Sequence, residues 1–325
     1  MSFLVRRFGF YLLAAWASLT LNFFLPRLMP GDPASAMLGR YRGLAQPEQI
    51  AAMRKVFGLS DAPLIEQYGT YLSHALRGDF GISISSFPVP VIQVIGTSLQ
   101  WTLLLGLVST LLGFALGSLL GVFGAWRRGG FADSVLPPLL LFVGSFPYFW
   151  LASMALYLLG FRWQLFPLNH AFSDSLTPTW SWEFISSVAT HLVLPAGTIL
   201  LVSIGGWMLG MRNTMIGVLA EDYITMAEAK GLSQRRIMFA YAARNALLPN
   251  VTAFGMALGF VISGALVTET VFAYPGLGYQ LLSAVRALDY PLMQGIFLMI
   301  TFAVLAANLI VDLLYVRLDP RVRGS

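Results

Sequence analysis

The sequence predicts an all-α polytopic membrane protein with six transmembrane helices, and three observations carry that prediction. Of 325 residues, 57% are hydrophobic and 11% charged, with a mean hydropathy of +0.72, too apolar for an ordinary water-soluble domain. The apolar residues fall in long unbroken runs instead of the two-residue alternation of a barrel strand. In lipid every backbone N–H and C=O needs an internal partner, so such runs must be helices. Lys and Arg, which hold short loops in the cytoplasm, are unevenly shared among the connections. Cysteine is absent, which excludes disulfides and thiolate metal sites. The net charge of +5 is modest and gathers into no basic face with interleaved aromatics, so membrane lipid, and no nucleic acid, is the expected surrounding.

Residues 1–29 hold the N-terminus and the first span. The run 8–29 is about 22 residues, ~33 Å as a helix, enough to cross. Arg6 and Arg7 precede it, and Arg27, Pro30 and Asp32 follow where a signal peptide would carry a small-residue cleavage site, so the span is read as uncleaved. Residues 30–95 are the most polar long stretch. Pro47 opens an amphipathic segment with Ile50, Met53 and Phe57 on one face, closed by Gly58. Asp61 and Pro63 open a second, with Leu64, Tyr68, Leu72 and Ala75 in register and Gly78 as its stop. Two short striped helices make this segment an expected helical cap on the bundle.

Residues 96–325 form the remaining five-helix core. The second span, 99–126, carries Gly113, Gly117 and Gly121 at four-residue spacing, a smooth face for close helix contact. Arg127-Arg128-Gly129-Gly130 is a turn. The third span, 135–159, contains Pro147, which removes a backbone bond and is expected to kink it. The loop 160–190 offers Trp163, Trp180 and Trp182 to the membrane interface. His191 heads the fourth span, 192–211; the fifth is 251–272 and the sixth 292–316.

Between the fourth and fifth spans lies 212–250, with Arg212, Glu221, Asp222, Glu228, Lys230, Arg235, Arg236 and Arg244. Its centre sets small residues (Ala227, Ala229, Gly231) among charges at helical spacing. Small side chains let another backbone come close, and Gly231 permits the sharp turn that ends a helix. Composition leaves two readings open here: a solvated loop, or a docking element.

Charge orients the chain. The N-terminus, the 127–128 turn, the 212–250 stretch and the tail (Arg317, Arg321, Arg323) hold 12 of the 20 Lys and Arg, against Arg162 and Arg286 in the two short loops opposite. The other six are Arg27 and five in the 30–95 segment, whose length exempts it from the rule. Both termini and the 212–250 stretch are therefore expected in the cytoplasm, with the 30–95 cap outside.

The two lysines, Lys55 and Lys230, sit in no phosphate-cradling Gly-x-x-x-x-Gly-Lys loop, so any ATP hydrolysis belongs to another polypeptide. His74, His170 and His191 are scattered, without the spacing of a metal site. Buried ionisable residues are costly in lipid and point to function; the candidates are Glu269 and Asp312. Glu269, near the outer end of the fifth span, could meet water, cap the following turn or contact an outside partner. Asp312, near the inner end of the sixth, could pair with Arg317 or Arg321. Neither lies at mid-membrane, where a proton-coupled carrier would place its carboxylate. An ion-gradient-driven secondary carrier, the alternative function, needs intramembrane charges or broken helices in corresponding halves, and no such pair is read. An intramembrane enzyme needs a nucleophile–base or metal constellation that the spans lack.

A series of segments resembles, in order, the permease subunits of ATP-binding-cassette (ABC) importers of the dipeptide/oligopeptide/nickel class. These are Met29-Pro30-Gly31-Asp32-Pro33; Phe57-Gly58-Leu59 with Pro63-Leu64 and Gln67-Tyr68; Gly78-Asp79-Phe80-Gly81-Ile82-Ser83; and His191-Leu192-Val193-Leu194-Pro195. Glu269-Thr270-Val271-Phe272, Tyr274-Pro275-Gly276-Leu277-Gly278 and Asp289-Tyr290-Pro291 follow, then Asn308 through Asp312 with Tyr315 and Asp319-Pro320-Arg321. The run Ala227-Glu228-Ala229-Lys230-Gly231 is similar to the peptide-class variant of the family's EAA loop. Met226 is bulkier than the family pattern, and Pro249 lies farther from Gly231 than in the general one.

The resemblance implies a type I ABC importer permease fold in a prokaryotic inner membrane and a non-catalytic role. It implies an ATPase-coupling helix built from Glu221, Asp222, Tyr223, Ala227, Glu228, Ala229, Lys230 and Gly231. Asp32, Asp79, Glu269, Tyr274 and Asp289 are the candidates on the binding-protein or gating side. The implied partners are a second related permease subunit, two ABC ATPase subunits that carry ATP and Mg, and an extracytoplasmic substrate-binding protein. No cofactor is expected on this chain. Di- and oligopeptides lead as solutes, with nickel chelates and oligosaccharides as family alternatives.

Overall fold

A computed structural model describes residues 2–28, 62–261 and 265–318. The Asp32 motif, the segment opened by Pro47 and the tail from Asp319 lie outside the described residues, as does the side chain of Asp312. Every regular element described is a helix; an isolated antiparallel bridge joins Ile82 and Pro90. Among the described residues four helices are long and apolar enough to cross a membrane, or five if one bent pair counts as a single span.

The chain divides into two compact units, one of Met1–Thr102, Ile262–Leu266 and Pro275–Ser325, the other of Leu103–Val261 and Val267–Tyr274. In the first, α1 (Ser2–Leu28) buries Phe23 against the rings of Tyr68 and Tyr71 from α2 (Leu64–Leu76), at 5.2 and 5.5 Å. The predicted stripe of Leu64–Leu76 is thus a helix, and Gly78 follows it at φ +70°. Burial pushes the Tyr71 phenol up to about 12. The Asn22 amide donates to the Gln294 carbonyl at 2.8 Å, and the Gln294 amide donates back to the Asn22 carbonyl at 3.2 Å.

α3 (Val91–Trp126) starts at Val91, not at residue 99: its first two turns bury side chains against other helices of the unit. Val91 and Ile95 pack on Leu292, Met293 and Ile296 of α11 (Tyr290–Leu318), and Gly295 makes room for them: a Cβ there would come within 2.6 Å of Val91 Cγ1. α10 (Leu277–Ala287) presents Leu277, Leu281 and Ala284 to the same core at helical spacing. It ends in left-handed Leu288, at φ 55°.

The second unit is built on α6 (Trp182–Leu219), longer at both ends than the predicted 192–211. Ser181 caps it by accepting the Phe184 N–H at 3.2 Å, with Glu183 in the first turn. His191 therefore does not head a helix; it lies within α6, its Nδ1 2.7 Å from the Ser187 carbonyl oxygen. The glycine stripe of α3 meets α6 backbone to backbone. A Cβ on Gly117 would lie 2.5 Å from Trp207 Cβ, and one on Gly121 2.6 Å from the Met208 carbonyl oxygen.

The third span is broken, where a kinked continuous helix was expected. α4 (Leu136–Gly144) and α5 (Tyr148–Ala155, running into a π-helical stretch Leu156–Arg162) are bent by 94°. Pro147 sits before the new helix instead of within one, since it lacks an N–H and drives Phe146 away from helical geometry. The Ser145 and Phe146 N–H groups close onto the carbonyls of Phe142 and Val143 at 3.2 and 3.3 Å.

α7 (Asp222–Ala229) follows α6. A single turn, Gln234–Arg236, and a π-helical stretch, Ile237–Ala243, lead into α8 (Arg244–Phe260). The expected fifth span 251–272 is not one described helix: α8 starts at Arg244, and α9 is the separate Leu266–Val271.

Candidate functional site

α7 owes its shape to its two ends. Glu221 is extended (φ −79°, ψ 146°) and Asp222 stands in the first turn, where a carboxylate meets the positive end of the helix dipole. At the other end Gly231 is left-handed at φ +71°. Its N–H donates to the Glu228 carbonyl at 2.9 Å, and the Leu232 N–H donates to the Ala227 carbonyl at 3.3 Å. This is the paired termination in which a left-handed residue satisfies the last carbonyls of a helix. A Cβ at Gly231 would meet nothing within 4 Å, so conformation, not space, calls for glycine there.

Ile224 and Ala227, one turn apart, are 3% and 2% exposed and pack with Met211, Met215, Ile237 and Met238. Ala227 was expected at the docking contact. It instead lets α7 lie close on its own bundle, because the only inward face of so short a helix is the one its apolar pair defines. Glu221, Asp222, Tyr223, Glu228, Ala229, Lys230 and Gly231 are exposed, and so is Met226, at 60%. The Tyr223 hydroxyl accepts from the Asn245 amide at 3.0 Å.

α6, which delivers α7, is fastened just above it. The Arg212 guanidinium Nε donates to Asp133 Oδ1, and Asp133 Oδ2 accepts the Gly129 N–H at 2.9 Å. Arg212 beside it, then the Gly129 N–H, hold the Asp133 carboxyl below the usual carboxylate range. Asp133 thereby ties the Arg127–Gly130 turn to the end of α6.

Of the described outer candidates, Asp79 and Asp289 belong to the first unit, Glu269 and Tyr274 to the second. Asp79 is exposed, accepting the Gly81 N–H at 3.0 Å and lying 2.9 Å from His74 Nδ1. The backbone Gly81 N–H first, and His74 next, lower its carboxyl below the ordinary value. Glu269, Tyr274 and Asp289 are all 0% exposed, so of the three readings open for Glu269 contact with water is the one its burial removes. The Tyr274 N–H donates to the Glu269 carbonyl at 2.8 Å. Asp289 Oδ2 accepts from Ser83 Oγ (2.6 Å), Ser85 N–H (2.8 Å) and Ser85 Oγ (2.8 Å), and its Oδ1 caps α11 through the Leu292 N–H at 3.1 Å. That carboxylate is an internal tie between the 83–85 loop and the start of α11.

Two features escaped the sequence reading. Asp133 was passed over because a lone acid in a turn carries no pattern. Tyr148, whose hydroxyl reaches Thr198 and Thr268, was passed over because hydroxyls vanish in an apolar average; Pro147 beside it was the one available signal.

Known proteins place this architecture. Residues 113–324 match the family described as binding-protein-dependent transport system inner membrane component, and residues 1–102 match the N-terminal domain of such membrane components. The chain belongs to this family: it is a multi-pass inner-membrane protein, the permease of a binding-protein-dependent importer. Among individual proteins it is 35% identical to the dipeptide transport system permease protein DppB of Escherichia coli K12. It is 34% identical to the di/tripeptide transport system permease protein DppB of Pseudomonas aeruginosa UCBPP-PA14, each match covering 99% of both chains. It is also 35% identical to the probable D,D-dipeptide transport system permease protein DdpB of E. coli K12, over 94% of this chain and 93% of that one.

Proposed function

We propose that this chain is the non-catalytic translocation subunit of an ATP-driven importer for di- and oligopeptides, which an extracytoplasmic substrate-binding protein delivers. The observation that carries the coupling half of this reading is α7 itself, a short exposed helix with a charged outer face, closed by left-handed Gly231 and seated at the end of the longest described helix. The peptide half rests on the names of the full-length relatives.

In this reading α7 is the coupling helix and sits in a groove of one ABC ATPase subunit. ATP and Mg bind on two such subunits, and this chain binds no cofactor. Closure of the ATPases pushes α7. Ile224 and Ala227 pass the push to the bundle, and the glycine contact of α3 with α6 turns it into rigid-body rocking between two packings. A second related permease subunit completes the pathway. Six spans in a type I arrangement keep both termini and the 212–250 stretch cytoplasmic, with the 30–95 cap outside. Asp32 and Asp79 belong to the side that receives the binding protein. Glu269, Tyr274 and Asp289 act from inside the fold, on gating.

The test uses the assembled transporter. Gly231→Val forces a β-branched residue into left-handed geometry, a strain of about 1–2 kcal/mol, and is expected to abolish dipeptide uptake and release the ATPase while membrane insertion stays intact. The chain has no native cysteine, so Met226→Cys supplies a unique thiol that is expected to cross-link to an ATPase subunit. Normal uptake with Gly231→Val, together with no cross-link from position 226, sinks the coupling assignment.

A further inference from the structure

Tyr148 is the first residue of α5, directly after the break at Pro147. Its hydroxyl oxygen lies 3.2 Å from Thr198 Oγ1 of α6 and within hydrogen-bond contact of Thr268 Oγ1 of α9. Thr198 Oγ1 donates to the Pro195 carbonyl at 2.9 Å, and that bond orients the rest. A hydroxyl has one proton. Thr198 has committed its own, so it accepts from Tyr148, and Tyr148 in turn accepts from Thr268. The chain runs from Thr268 through Tyr148 and Thr198 to the Pro195 carbonyl, with both threonines 2% exposed.

The two halves of the broken span are held to α6 by different chemistry. α4 lies against its backbone: a Cβ on Gly144 would come 3.0 Å from the Val202 carbonyl oxygen, and one on Gly205 3.2 Å from Leu140 C. That contact has nothing to exchange with water. The start of α5 is held by hydroxyls, and a hydroxyl–hydroxyl bond can be traded for a hydroxyl–water bond at small net cost. Non-helical backbone within a span is tolerated where protein buries it or where water reaches it, so either a dry or a wetted break would satisfy the polar groups here.

We propose that Tyr148 is a positioning residue of the transport cycle. Its hydroxyl latches α5 to α6 and α9 while the break is dry and releases α5 when water enters, with α4 staying fixed on α6. The inference rests on the chain being the translocation subunit driven by separate ATPases.

The measurement is ATP hydrolysis by the complete complex in lipid nanodiscs, without binding protein or peptide, alongside its unfolding temperature. Tyr148→Phe keeps the ring and removes the latch. It is expected to raise this idle hydrolysis about three- to tenfold, the range that one net hydrogen bond commands. Thr268→Val removes one of the two bonds and is expected to raise it less, and the double variant to go no higher than Tyr148→Phe, which already removes both. Unchanged idle hydrolysis in Tyr148→Phe overturns the latch, as does an additive double variant or a lower unfolding temperature with an unchanged rate. If the wild-type complex hydrolyses no ATP even when binding protein and peptide are added, the functional reading fails and the latch with it. Normal wild-type hydrolysis with a silent Tyr148→Phe counts against the latch alone.

Discussion

The middle of α6 and the helix it carries are held in opposite ways. Along α3, Gly117 and Gly121 bring backbone against backbone, so that even one added carbon has no room. α7 rests on the same unit through two buried side chains and a turn, with its outer face exposed. One contact is short-ranged and cannot adjust; the other leaves most of its surface for something else. A lever works on that division: stiff along its length and uncovered at its tip.

The difference can be broken at the stiff end first. Gly121→Leu places its Cβ 2.6 Å from a carbonyl oxygen that cannot move aside. Overpacking of this kind costs about 1–3 kcal/mol or more. The expected outcome is loss of folded protein in detergent, seen as an aggregated peak in size-exclusion chromatography, before any question of transport arises.

A smaller effect sharpens the division at the tip. Ala227→Leu enlarges a residue that is 2% exposed and lifts α7 from its own bundle. We expect the unfolding temperature to fall and ATPase coupling to fall with it, whereas Met226→Ala, on the exposed face, lowers ATPase affinity and leaves the unfolding temperature unchanged. Equal thermal effects of the two would erase the inward–outward assignment.

Asp133→Asn is expected to act least. It weakens a charged hydrogen bond worth about 1 kcal/mol or less, and its expected signature is uptake less sensitive to salt than in wild type, because the ion pair that salt would screen is gone. The sign with pH follows from the lowered carboxyl. The pair's contribution is fully present above the ordinary carboxylate range and is lost as pH falls through the lower folded value. Wild type and Asp133→Asn should therefore differ at neutral pH and converge in acid, which pH-dependent unfolding of the two would reveal.

Hydropathy placed α1, α3, α6 and α11 because lipid imposes one demand, a long apolar helix, that is written in composition. The same signal missed the ends of α3 and α6, whose Val91, Ile95 and Met215 are buried by packing on other helices, which hydropathy along the chain does not report. A cap could still be read locally: Gly231 ends α7 and Gly78 follows α2, since the left-handed turn depends on the one residue that adopts it freely.

What the sequence determined by itself was therefore the class, the four long apolar helices, the glycine stripe and the position of an exposed charged helix, each settled by neighbours within a turn or two of the chain. Only the tertiary structure decided that Ala227 faces inward, that Asp289 ties a loop to α11, that Arg212 holds Asp133, and that Tyr148 bridges two threonines. Those contacts join residues many turns apart, and hydrogen bonds reach about 3 Å, so which partners meet is set by packing and by no local pattern.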